Sequence, residues 1–106
     1  MALITAPSRE VALALARTLV EERLAACVNL MPGVTSVYRW EGELAEDAEV
    51  LLVAKTTSAR LPELTARVLE LHPYDVPEVV SLAPREVEGT YLAWLIASCE
   101  AADREA

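Results

Sequence analysis

Phenylalanine and glutamine are absent from this chain, lysine and histidine occur once each, and glycine only three times. Each scarcity narrows the range of function. Gly33, Gly42 and Gly89 stand apart from one another, so no glycine-rich loop is present to cradle a phosphate, and nucleotide binding of the usual kind is not expected. One histidine, His72, and two separated cysteines, Cys27 and Cys99, make neither a metal-ligand spacing motif nor a C-x-x-C redox pair. Both cysteines lie among apolar residues and read as reduced core side chains. With a single imidazole the options for a nucleophile with its base are few, and the chain reads as non-enzymatic. No apolar run approaches the ~20 residues of a membrane helix. Met1–Ser8 lacks the basic start and long apolar centre of a signal peptide, so a cytoplasmic protein is expected. Positive charge is scarce too: the net charge of −8 repels phosphate backbones and attracts cations, which argues against nucleic acid as a partner.

What is present is apolar mass made of Ala, Leu and Val, 54% of a chain of 106 residues. That length predicts one domain, spanning residues 1–106. Ala2–Ala6 is an apolar run stopped by Pro7, the pattern of a strand buried on both faces. Ser8 stands where a helix N-cap belongs, and Val11, Leu15 and Leu19 recur beside Ala12, Ala16 and Val20, predicting an amphipathic helix to about Leu24. An extended stretch follows from about Ala26 to Glu41, interrupted at Pro32-Gly33, with Tyr38 and Trp40 alternating against Val37, Arg39 and Glu41. Gly42 opens a turn, and an acidic patch (Glu43, Glu46, Asp47, Glu49) leads into a second buried strand, Val50–Ala54. Ser58 is expected to cap the next helix, with Pro62 in its first turn, Leu61, Leu64, Val68 and Leu71 inside, and Glu63 paired with Arg67 outside. A strand over Val79–Ala83 and a helix from Gly89 carrying Leu92, Leu95, Ile96 and Cys99 complete the domain. The polar tail from Ala101 is expected to fray. This order predicts an α+β fold: a ferredoxin-like βαββαβ antiparallel sheet, helices on one face, with an additional C-terminal helix. The uninterrupted apolar runs belong in its middle and the other two strands at its edges.

The stretch from Ala26 to Glu41 is too long for such a domain. Fully extended at about 3.3 Å per residue it reaches about 50 Å, whereas a compact domain of this length is about 35 Å across. Its distal half would carry Tyr38 and Trp40 into water on an open strand edge, a liability that pairing with further copies of the chain removes. A homo-oligomer is therefore expected, and a ring of three closes head-to-tail edges.

The segment His72-Pro73-Tyr74-Asp75-Val76-Pro77-Glu78 frames the histidine, a tyrosine and carboxylates between two prolines, so it ends a helix and presents chosen side chains. Together with Tyr38, Trp40, Glu41 and Lys55, its residues His72, Tyr74 and Glu78 form a set suited to lining a cleft between subunits. Lys55 follows a wholly apolar strand and calls for a carboxylate partner such as Glu41 or Glu78. The donors open to a divalent cation such as copper are His72, Glu78, Asp75, Cys27 and Cys99, and no cofactor is required.

Arg23-Leu24-Ala25-Ala26-Cys27-Val28-Asn29, Tyr38-Arg39-Trp40-Glu41-Gly42, Lys55-Thr56-Thr57, the proline-framed segment and Tyr91-Leu92-Ala93-Trp94 resemble, in this order, the signatures of the CutA family of divalent-cation tolerance proteins. The resemblance runs from about Ile4 to Ser98. It implies a ferredoxin-like subunit in a tight homotrimer, similar in build to the PII signal-transduction proteins, with a role in tolerance of copper and other divalent metals and no attached reaction. The PII likeness also allows a structural or regulatory adaptor that binds a partner protein. Some members carry cysteine in the first strand or paired histidines before Pro-Tyr; Ile4 and Leu71 occupy those places here.

Overall fold

The computed structural model describes residues 1–100, and the tail expected to fray from Ala101 lies outside the described residues. Seven elements follow one another: β1 (Ala2–Ala6), α1 (Arg9–Glu21), β2 (Cys27–Trp40), β3 (Glu43–Lys55), α2 (Leu61–Leu71), β4 (Val80–Ser81) and α3 (Gly89–Cys99). The strands form one antiparallel sheet in the order β2-β3-β1-β4, so the two apolar runs are central, as their composition predicts. The expected α+β, ferredoxin-like arrangement is the one observed.

Registration of the central pair builds the core. Ala2, Ile4 and Ala6 lie opposite Ala54, Leu52 and Val50 on one face. Against that face pack Ala12, Leu15, Ala16 and Leu19 of α1, with Leu64 and Val68 of α2 in the same cluster. The small alanines let the helix approach the sheet closely, and each fully buried Ile or Leu contributes about 1.5–3 kcal/mol of transfer free energy. Helix α1 starts where Ser8 Oγ accepts from the Val11 N–H at 3.2 Å. It ends in a left-handed Arg23 (φ 61°), with Leu24 N–H bonded to Leu19 O and Arg23 N–H to Val20 O, a Schellman closure made without glycine.

Several expectations are corrected. The acidic patch is no loop: Glu43, Glu46, Asp47 and Glu49 form the outer half of β3, paired with β2 out to Trp40↔Glu43. The connection is the two-residue turn Glu41-Gly42, both at positive φ (49° and 81°), which matches a hairpin's twist. The overhang is thus a two-stranded ribbon, not a lone strand, and it stretches the molecule to 51 Å along its longest axis. Ser58 caps nothing: a turn from Thr57 to Arg60 delays α2, which has no side-chain cap. Arg67 does not pair with Glu63 but reaches across to Glu22 with two hydrogen bonds of 2.9 Å, tying α2 to the end of α1, while Glu63 accepts from Arg60. Strand β4 is shorter than expected, and the chain around it is held by reciprocal 2.8 Å bonds between Met1 and Leu82. Of the predicted α3 stripe only Leu95 and Cys99 are buried, against Ala26; Leu92, Trp94 and Ile96 remain exposed.

These caps make a paired test. Ser8→Ala should lower the unfolding free energy by about 1 kcal/mol in urea melts. Ser58→Ala, which removes no hydrogen bond, should stay within about 0.5 kcal/mol of the parent. Equal losses would refute the assignment of the caps.

Candidate functional site

One feature of β2 decides which side chains face which way. Between the pairs Met31↔Leu51 and Val34↔Glu49 the strand carries one more residue than its partner, a bulge placed at Pro32-Gly33 with Gly33 at φ 80°. Strand residues alternate faces, so the extra residue changes parity. Beyond it, Val34, Ser36, Tyr38 and Trp40 share a face with Glu49, Asp47, Ala45 and Glu43, away from the Val50–Leu52–Ala54 core face. Pro32 is tolerated because β2 is an edge strand.

On that face lies an open cleft of about 530 Å³. Tyr38 and Trp40 of the ribbon form one wall, Glu49 and Thr5 lie at the sheet, and the proline-framed segment supplies Tyr74, Asp75 and Glu78. His72 positions that segment. Its Nε2 lies 2.7 Å from the Thr5 carbonyl oxygen and its Nδ1 accepts from the Tyr74 N–H at 3.1 Å. The pair of contacts fixes a neutral ring with the proton on Nε2, and the ring packs 4.7 Å from that of Tyr74. Tyr74 Oη then donates to Glu49 Oε2 at 2.8 Å, and Tyr38 Oη donates to Asp47.

The charges in the cleft act on these phenols. Burial first, then the hydrogen bond and charge of Glu49, push the Tyr74 hydroxyl up to about 12. Tyr38 is also raised, chiefly by its bond to Asp47. Both hydroxyls are therefore donors at any physiological pH.

The predicted set is divided by the fold. Tyr38, Trp40, Tyr74 and Glu78 come together in the cleft, and His72 stands behind Tyr74, buried with both nitrogens engaged. Glu41 sits in the hairpin turn, outside the cleft lining. Lys55 is at the opposite end of β3, paired with Cys27 and far from the ribbon tip. It meets neither Glu41 nor Glu78: no carboxylate ion-pairs with it among the described residues, and its ammonium lies 6.0 Å from the centroid of the Tyr91 ring. Cys27 is half-buried and Cys99 buried, 3.7 Å from Thr56 Oγ1. Among the described residues no three His, Cys, Asp or Glu side chains converge as a metal would require. Sequence reasoning missed Glu49 and Thr5. The available signal for Glu49 was a carboxylate immediately before a buried apolar run.

A sheet of this order, with a long β2–β3 ribbon and the cleft at its root, has clear counterparts. The family model described as CutA1 divalent ion tolerance protein matches residues 1–98. The chain belongs to this family. It is 59% identical over 93 residues to the divalent-cation tolerance protein CutA of Thermus thermophilus, covering 88% of this chain and 90% of that one. The solved CutA1 structure from that organism superposes with a TM-score of 0.91, at 56% identity, over 93% of this chain and 96% of the other. A PII-like CutA from Nostoc, solved in its apo form, gives 0.87 at 37% identity, over 95% and 97% of the two chains. Human CutA is 48% identical over 94 residues, 89% of this chain but 52% of its own length; the chain spans about half the length of the mammalian relatives it matches. The family's description names a tolerance, not a reaction. Among the described residues no helix of this CutA chain is long and apolar enough to cross a membrane.

The proton on Tyr74 is testable. Because its folded-state value lies above the unfolded value of about 10, its stabilisation is complete below pH ~10 and is lost as pH rises towards about 12. In an ultraviolet tyrosinate titration, Tyr74→Phe should delete the late-titrating phenol. Glu49→Gln should move that phenol down towards its ordinary value while leaving the part due to burial.

Proposed function

We propose that this CutA protein acts as a non-enzymatic cytoplasmic homotrimer that captures a divalent cation, copper among them, or a small ligand in clefts completed where subunits meet. The observation that carries this reading is the cleft at the root of an overhanging ribbon, walled by Tyr38, Trp40 and Tyr74 around the buried carboxylate of Glu49. Small-ligand sites favour concave, mostly apolar surfaces with a few placed polar groups, and they favour interfaces.

Assembly is supported by the same ribbon. Strand β1 covers β3 only from Val50 onward, so among the described residues the outer half of the ribbon is unpaired on both edges. Trp40 is 49% exposed there and Leu44 more so. Open, apolar-decorated edges drive strand addition unless covered, and a cyclic trimer covers them with one repeated contact. The net charge of −8 per subunit would enrich cations around all three clefts.

A PII-like adaptor binding a partner protein is the second reading, favoured by the apolar, exposed side of α3 with Trp94 48% exposed. Light scattering at micromolar concentration should give three times the 11.5 kDa of one chain; a folded monomer would overturn the trimer. Calorimetric titration with copper and zinc tests the metal half of this reading: heats no larger than those of an unrelated protein of equal net charge would remove it and leave the small ligand. Acrylamide quenching of Trp94 in a Trp40→Phe protein separates the readings: a shielded Trp94 in the oligomer removes the adaptor surface.

A further inference from the structure

We propose that the cleft between the ribbon and the proline-framed segment selects an alkylammonium ion, a primary amine on a short apolar body, over a bare divalent metal. The inference rests on the cleft being a ligand site, as proposed above, and names the chemistry that it takes.

The sign of the charge comes first. Among the described residues the ionisable carboxylates lining the cleft are Glu49, Asp75 and Glu78, and no lysine or arginine lines it. Glu49 is the anchor. It is 8% exposed, its one hydrogen bond is from Tyr74 to Oε2, and no cation pairs with it among the described residues. Its Oε1 accepts no hydrogen bond from the described residues and is not sealed from solvent, so it remains available to a donor in the cleft. A carboxylate so far removed from water, bonded to one phenol and no counter-charge, is an incomplete ion pair.

The walls decide between kinds of cation. Tyr38, Trp40 and Tyr74 present aromatic rings, whose faces attract an organic ammonium and accept its methylene groups. A metal ion gains nothing comparable: it demands three or more N, O or S donors in its first shell. The described residues bring no such trio together. The one imidazole near the site has both nitrogens committed, to Thr5 and Tyr74. The Tyr38 and Tyr74 hydroxyls already donate to carboxylates that a metal would need undivided. Volume agrees, since about 530 Å³ suits a small organic ligand and far exceeds one ion. A primary ammonium supplies the N–H donors that Oε1 of Glu49 lacks, while its alkyl part lies against the aromatic wall of the cleft.

Titrating the intact oligomer with n-butylammonium, with its uncharged counterpart n-butanol, and with zinc and copper tests this by calorimetry and chemical-shift mapping. Butylammonium should saturate, perturb Trp40 and Tyr74, and bind at least about tenfold more tightly than butanol. Glu49→Gln, which keeps the side chain's shape, should weaken butylammonium at least about tenfold, and Glu78→Gln on the exposed rim should weaken it less. Equal binding of butanol would overturn the ammonium assignment and leave a ligand site standing. Saturable metal binding abolished by Glu49→Gln, with no response to butylammonium, would overturn it in favour of a metal site. No binding of any probe would overturn this inference and the ligand-site reading together.

Discussion

The pairing of β2 with β3 is the interaction on which the rest of the molecule depends. Thirteen-residue β3 serves two structures at once. Its inner half, Val50–Lys55, is the middle of the sheet and the floor of the core, whereas its outer half exists only because β2 runs alongside it. The hydrogen bonds that hold the ribbon are the ordinary antiparallel ladder, so little sequence specificity is needed to keep it straight. What the ribbon lacks is a second layer. Residues in a two-stranded ribbon have no core of their own, and an isolated hairpin is marginal in water. The inner sheet anchors one end, and the Tyr38–Asp47 bond crosses between the strands farther out.

The cleft follows from that geometry. The ribbon leaves the domain at the place where α2 ends, and the proline-framed segment turns back over the sheet there, pinned by His72 to the backbone of β1. Three parts of the chain, distant in sequence, thus meet around Glu49. The arrangement is rigid on the protein side: prolines restrict the segment, the imidazole tautomer is fixed, and both phenols hold their protons. Electrostatically the described residues leave it unbalanced, with carboxylates and phenol donors but no cation among them. A site that is stiff, concave and short of positive charge is prepared for a cationic visitor, because little ordering remains to oppose binding.

Most of the fold was legible in the sequence because buried strands and amphipathic helices carry strong patterns. Ala2–Ala6 and Val50–Ala54 are apolar without interruption, and that alone placed them centrally. The outer half of β3 was illegible for a definite reason: Glu43, Glu46, Asp47 and Glu49 have low strand propensity, and only tertiary pairing with β2 overrides it. The start of α2 was missed because Ser58 looks like a cap while a preceding turn occupies its backbone. In the site, the aromatic residues and the proline-framed segment announced themselves by type and spacing. Glu49 did not, since the tyrosine that hydrogen-bonds it in the cleft lies 25 residues away. Lys55 was grouped with Glu41 and Glu78 on chemistry alone, and the strand direction carries it to the far end instead.

The irregularity at Pro32-Gly33 has a bearing on how such a chain can vary. With it, the aromatic side chains of the outer ribbon look towards the carboxylates; were the ladder regular with every residue kept, Val34 would fall opposite Ala48, the aromatics would give way to Val37 and Arg39, and only Glu41 would be left to make the turn. Loss of one residue between Met31 and Val34 would instead leave Val34 opposite Glu49 in a straight ladder, with the aromatics where they are. The irregularity is thus a place where the strand can shorten without reversing a face, while a side chain at Gly33 would have to bear its left-handed backbone.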